Sequence, residues 1–333
     1  MNTTGALCTV AIMAMPCLAA DPPAWEAVLT GLLGREKTGF GGLCGVAVDR
    51  ETGRVWANLS DRGLYASPSG GKAFERASDT QPRGRAETPG CLMIDPTGKT
   101  KRLLAAFVYG APGGVSEDGG KTWGHFDKKC GHVDWVAVDW VGGEFVLALK
   151  HEAGGLLLAS RDGGKSFAEA GKGFGPGWVF DGRTAVVAKL KPKAGLVRTT
   201  DGGETWKAAG EYSPVGRESA QALPRWHAGA LYWLVEGALI RTKDGGETWE
   251  KVGAIKDARF GPVFGAKDDN LFVLTGAGVV ESGDGGKSWS GPIALPKGMK
   301  GAGGLTWIAF DPKGRYLYAM KMGSDLYRLR RGE

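Results

Sequence analysis

Two short runs concentrate the side chains that could do chemistry: Lys128, Lys129, His132, Asp134 and Trp135, and further on Lys150, His151 and Glu152. Imidazoles and carboxylates within reach of one another can carry general acid–base work. Glycoside hydrolysis needs a pair of carboxylates, about 5 Å apart for retention and wider for inversion. Asp134, Glu152, Glu218 and Asp61 are the candidates for such a pair. The alternative is that each forms an ion pair with a neighbouring Arg or Lys. The histidines have no metal-ligand spacing. His132 and His151 could converge with Asp134 on an ion, but we read them as ordinary surface imidazoles and expect no metal. No Gly-x-Ser-x-Gly segment, phosphate-binding loop or Cys-x-x-Cys pair occurs, so no cofactor is expected. The catalytic set is incomplete.

The elements that must position these residues announce themselves by repetition. Ser116-Glu117-Asp118-Gly119-Gly120-Lys121-Thr122-Trp123 recurs with its aspartate at Asp162, Asp201, Asp244 and Asp284, at steps of 44, 39, 43 and 40 residues. A worn copy, Ser67 to Phe74, has lost the aspartate. Each copy follows alternating apolar runs such as Val136-Ala137-Val138-Asp139 and Phe145-Val146-Leu147-Ala148-Leu149. Alternation and turn residues predict four short strands per unit, which is one propeller blade. Seven units are present, and the last stops at Leu326-Tyr327-Arg328-Leu329 after three strands. Trp25-Glu26-Ala27-Val28-Leu29 resembles Trp249-Glu250-Lys251-Val252, so the N-terminus is expected to donate the missing strand and close the ring. The predicted architecture is all-β: a single seven-bladed propeller of four-stranded antiparallel blades over residues 21–333.

The repeat has a local physical role. An Asp at a turn accepts from the amides ahead of it, Gly-Gly permits positive φ, and the Ser or Thr before the aromatic satisfies another turn group. A calcium loop would bring several acidic or amide ligands, whereas one aspartate is invariant here, so Asp118, Asp162, Asp201, Asp244 and Asp284 are read as structural. These residues resemble Asp-box repeats, also called bacterial neuraminidase repeats. Such repeats occur in sialidases, xyloglucanase-type glycoside hydrolases, sortilin-type receptors and a photosystem II assembly factor. The resemblance covers essentially the whole chain after its N-terminal segment, and it specifies a blade rather than an activity. It implies that the Asp-box turns lie on the face opposite the functional one.

The opposite face is built from the connections between blades and the loops between second and third strands. Its ligand-binding candidates are Arg62, Arg85, Tyr109, His132, Trp135, Lys150, His151 and Arg217, with Asp134, Glu152 and Glu218 as catalytic candidates. The densest neighbourhood is expected in the third blade, at the mouth of the central channel. A sialidase-like site would use an arginine cluster and a tyrosine nucleophile. Arg62, Arg85, Arg217 and Tyr109 are available, but the Arg-Ile-Pro signature is absent and the blade count is seven instead of six. Xyloglucanase-type enzymes face two propellers together, and one is present here. The expected function is binding of a protein or glycan, with glycoside hydrolysis as the alternative.

The wider composition fits an exported binding domain. Residues 1–20 are apolar and small, ending in Leu18-Ala19-Ala20, and read as a secretory signal peptide directing the chain to the periplasm or outside. Stable membrane insertion is not expected. The net charge of +6 favours anionic partners, yet no Arg/Lys run with interleaved aromatics points to nucleic acid. Beyond the N-terminal segment, Cys44, Cys91 and Cys130 remain, and a bridge between Cys44 and Cys91 is one of two open readings beside buried thiols.

Overall fold

The computed structural model describes residues 24–215, 222–299 and 306–332. Its sheets form seven blades in chain order around a central axis, each an antiparallel meander. The third blade is representative, with strands Val133–Val138, Val146–Lys150, Leu157–Ser160 and Ala168–Gly171 from the axis outward. Burial on both faces explains the stacking: the inner strands Val133–Val138 and Phe174–Val179 are buried along their whole length between neighbouring blades. Trp135, Trp233 and Trp307 are among the largest fully buried side chains.

The seventh blade closes as expected. Glu26–Ala27 pairs antiparallel with Tyr327–Arg330, outside Tyr316–Lys321 and Thr306–Asp311. Arg328 fastens the seam, reaching Glu26 Oε2 at 2.6 Å and the Gly70 carbonyl, and lying over the Tyr316 ring. The Leu29 amide donates to Asp325 Oδ1 at 2.7 Å. In the sixth blade the outermost segment pairs less regularly. Past Gly278–Ser282, it is held by the Ser290 amide on the Glu281 carbonyl, the Glu281 amide on Ser290 Oγ at 3.0 Å and a bridge between Val279 and Ile293.

Each Asp box is a closed hydrogen-bonded turn. Asp201 accepts from the Thr199 hydroxyl at 2.7 Å, the Glu204 and Thr205 amides at 3.0 Å, and the Thr205 hydroxyl at 2.5 Å. Donation from the hydroxyl and amide four residues on holds the Asp118, Asp162, Asp201 and Asp284 carboxyls well below the usual range. The second glycine also lets the turn close on the preceding blade: a methyl on Gly120 would lie 2.4 Å from the Trp56 ring. The worn first copy has a substitute. Asp311 of the seventh blade accepts from Ser69 Oγ at 2.7 Å and from the Gly70 amide at 2.9 Å, supplying across the seam the carboxylate that this turn lacks.

The three cysteines are free and buried. The Cys91 thiol contacts the Val133 carbonyl of the third blade at 3.4 Å and accepts from Thr88 Oγ1 at 3.1 Å. Burial pushes the Cys44 and Cys91 thiols up to about 12. Buried thiols are therefore the reading the fold supports.

Candidate functional site

The face opposite the Asp boxes carries a cluster assembled from three blade connections. A two-stranded ribbon, Gly84–Arg85 against Tyr109–Gly110, rises above the second blade and places Arg85 directly across from Tyr109. Glycine is required at the crossing. A Cβ on Gly84 would sit 2.5 Å from Phe107, and one on Gly110, at φ 143°, would sit 2.4 Å from the Gly84 Cα. The guanidinium of Arg85 lies over the Tyr109 ring at 4.3 Å and over the Phe40 ring at 4.7 Å. It also meets Glu87 at 2.5 Å, with both side chains mostly buried. Burial pushes the Glu87 carboxyl up, and the Arg85 charge opposes that shift.

The third blade supplies the polar half. The register between its first two strands slips between Val133 and Trp135, which makes Asp134 the bulged residue. A bulge re-aims a side chain. Asp134 is buried, and its Oδ1 accepts from His151 Nδ1 at 2.7 Å. Burial raises its carboxyl above the usual range while His151 pulls it back. His132 hydrogen-bonds through Nδ1 to the Val108 carbonyl at 2.6 Å. The His132 and His151 rings meet edge to face at 4.8 Å, with Tyr109 edge-on to both at 5.0 and 5.6 Å. The exposed carboxylate of Glu152 lies 3.6 Å from His151 Nε2, and the Tyr109 hydroxyl makes a long contact with the same nitrogen at 3.4 Å. His132 and Glu152 both hold left-handed backbone, at φ 56° and 51°. For residues bearing a Cβ this conformation is strained, and such strain gathers at functional sites.

Of the expected site residues, Arg85, Tyr109, His132, Asp134, His151 and Glu152 therefore come together. Trp135 does not join them. It is buried to 1 % exposure and packs so tightly on Gly90 that a methyl there would lie 2.4 Å from its ring, so its role is packing and not ligand contact. Lys150 turns onto the connection that enters the blade, donating to the Lys129 and Gly131 carbonyls, and burial lowers its ammonium. Arg62 is likewise committed, to the Glu36 and Lys37 carbonyls at 3.1 and 3.2 Å and to Asp61 at 3.6 Å. Arg217 and Glu218 lie outside the described residues. Phe40 and Glu87 complete the cluster; Glu87 shares its blade connection with Arg85, and Phe40 did not stand among the candidates. The signal for Phe40 was its isolation in Gly39-Phe40-Gly41-Gly42, where an aromatic cannot be part of a strand.

The central channel is a separate feature. A cavity of about 610 Å³ is walled by the inner strands, including Met93, Trp178, Trp226, Phe260 and Trp307. Its rim residues Arg50, Glu51, Thr97, Gly98 and Lys313 belong to first-to-second-strand turns, on the Asp-box side. None of the clustered residues above lines it. Among the described residues, Arg225 lines this cavity with the Phe260 ring as its cation partner, at 5.7 Å, and desolvation lowers it to about 10.

No protein-family model matches the chain, and no curated protein matches it. Solved structures do. A structure of YCF48 bound to D1 peptide is 16% identical, covering 96% of this chain and 100% of that one, with a TM-score of 0.52. The GH74 xyloglucanase from Xanthomonas campestris is 17% identical over 92% of this chain, at a TM-score of 0.52, and this chain spans 53% of its length. The extracellular domain of a two-component system protein from B. thetaiotaomicron is 11% identical over 94% of this chain, at a TM-score of 0.55, and is spanned to 40%. At these identities the likeness is one of fold: this chain is a seven-bladed β-propeller of the architecture shared by YCF48 and the xyloglucanase.

Proposed function

We propose that the protein is an exported binding module that takes a protein segment on the face opposite its Asp boxes, around Phe40, Arg85 and Tyr109. One observation carries this reading. Among the described residues three large apolar side chains stand exposed, and two of them, Phe40 at 69% and Tyr109 at 42%, share one guanidinium on this face. Solvated aromatics around an arginine are the composition of interface hot spots. The neighbour named as YCF48 bound to D1 peptide supports a propeller in a peptide-binding role. The net charge of +6 supports an anionic partner. No helix among the described residues is long and apolar enough to cross a membrane. Export rests on residues 1–20, outside the described residues, and on the extracellular neighbour.

Hydrolysis is the weaker reading because the carboxylates are engaged. Asp134 is tied to His151 and Glu87 to Arg85, which leaves Glu152 as the exposed acid of the cluster. The purified protein should be screened against peptide and glycan arrays and against sialosides and xyloglucan for turnover. Retention of peptides at micromolar affinity, lost in both Phe40→Ala and Tyr109→Ala, supports the reading. Retention of glycans alone replaces the ligand class. Turnover abolished by Asp134→Asn and Glu152→Gln overturns binding in favour of hydrolysis.

A further inference from the structure

We infer that His132, His151 and Glu152 form a binding site for a divalent transition metal, of which zinc is the representative ion. One ligand atom from each lies within 4.8 Å of the others. Imidazole and carboxylate together are a donor set suited to zinc, and three protein ligands leave a fourth position open to water or an incoming group.

Proximity alone would be weak, because exposed acids and imidazoles often cluster. Three independent features of the fold point to a metal. The first is the tautomer of His132. Its Nδ1 faces the Val108 carbonyl, which can only accept, so Nδ1 carries the proton and Nε2 keeps a free lone pair. The second is His151, whose Nδ1 is held by the Asp134 carboxylate at 2.7 Å, again leaving Nε2 as the available donor atom. A metal-ligating histidine typically has its other ring nitrogen on a carboxylate or a backbone carbonyl, and both versions occur here side by side. The third is backbone strain. His132 and Glu152 both adopt left-handed φ, and the His151 amide ties the two loops together through the His132 carbonyl at 3.0 Å. Two strained loops thus hold three donors over one point. Asp134, bulged out of its strand and buried, is then a positioning residue for His151.

The site is also accessible. The Glu152 side chain is 74% exposed, so an ion could enter without unfolding the blade, and the exposed carboxylate is free to swing toward the two imidazoles. The inference does not depend on the ligand proposed above, since the ion itself is the probe.

Purified full-chain protein with any affinity tag removed is stripped with chelator and titrated with zinc chloride by calorimetry, then with cobalt(II) by absorption spectroscopy. The expected result is one saturating zinc per chain, and cobalt bands in the visible range typical of low coordination number. His132→Ala and His151→Ala should each abolish saturation while keeping the wild-type circular dichroism and melting transition. Asp134→Asn, which keeps its shape but holds the imidazole less firmly, should weaken zinc about 10- to 100-fold. Glu152→Gln should lower affinity and change the cobalt spectrum. Absence of saturable binding overturns the inference. So does binding that persists unchanged in the His132→Ala, His151→Ala double variant, which would place the ion elsewhere, for example at His227 and Asp268.

Discussion

Replacing Arg85 by Met tests the electrostatic core of the candidate site. The guanidinium meets Glu87 at 2.5 Å, and the two side chains are 18% and 19% exposed. Removing one partner of a fully buried pair costs about 3–5 kcal/mol, because the other charge is left desolvated. Partial exposure reduces that figure, while the lost contacts to Phe40 and Tyr109 add about 0.5–1 kcal/mol each. The net expectation is a loss of about 2–3 kcal/mol, read by urea denaturation followed through tryptophan fluorescence. The loss should depend on pH with a definite sign. Burial already holds the Glu87 carboxyl above its ordinary 4.5, with Arg85 opposing the shift, so the variant raises the folded value further. An acid whose folded pKa exceeds its unfolded one binds the proton more tightly when folded, so its destabilisation is full at neutral pH and shrinks as pH falls through the folded value. Arg85→Met should therefore recover part of its deficit as the pH falls from neutral through the raised folded value of Glu87. Adding Glu87→Gln should restore stability at neutral pH and flatten that dependence. A loss below about 0.5 kcal/mol, the level of ordinary surface substitutions, would refute the reasoning, as would a pH-independent one.

The Asp boxes predict the opposite sign. Their folded carboxyls sit well below the ordinary 3.8, so their contribution is full above that value and is lost as pH falls through the folded values; Asp201→Asn should flatten the decline in melting temperature below about pH 4. At the ring seam, Arg328 is buried and Glu26 is 61% exposed, so Glu26→Gln, which leaves the buried guanidinium without its carboxylate, should cost about 2–3 kcal/mol by urea denaturation, and Arg328→Met, which leaves a solvated carboxylate, only about 1 kcal/mol. Equal costs would sink that account. In the channel, Arg225 has no carboxylate partner among the described residues, so Arg225→Met removes a desolvated cation and should stabilise the fold by about 1–3 kcal/mol, seen as a higher midpoint in urea. Glu152→Gly relieves the left-handed backbone and should stabilise by up to about 1 kcal/mol while weakening zinc, a separation measurable by melting and calorimetry on the same sample.

What was legible in the sequence follows from which features are local. The aspartate turns and the strand alternation are short-range patterns and recur in the fold, and the donated N-terminal strand was legible because its residues repeat those of a fourth strand. Even so, Asp311 holding the worn first turn could not be read, because its partners at Ser69 and Gly70 lie at the other end of the chain. The meeting of His132, Asp134, His151 and Glu152 was partly legible, since the two loops of one blade share a face. Arg85 and Tyr109 were separate candidates, but their pairing depends on a glycine crossing between segments that belong to no blade ladder. Trp135 was misread for a related reason: an aromatic beside polar residues looks available until the neighbouring blade's Gly90 is set against it.

Backbone conformation separates the site from its scaffold more sharply than composition does. Positive φ falls on twenty-nine glycines among the described residues and on only seven other residues. The chain thus meets the steric demand of a left-handed turn with glycine nearly everywhere it can. His132 and Glu152 are two of the seven exceptions, they face each other across His151, and each gives up backbone ease to place a donor atom. Asp134 does the same by leaving its ladder at a bulge. Register shifts between the first two strands recur in the fourth and sixth blades, so the left-handed backbone of His132 and Glu152 is the sharper departure. That both occur within one blade's loops, around two imidazoles with their Nδ1 atoms tied back, is the physical argument that this patch was built to hold something.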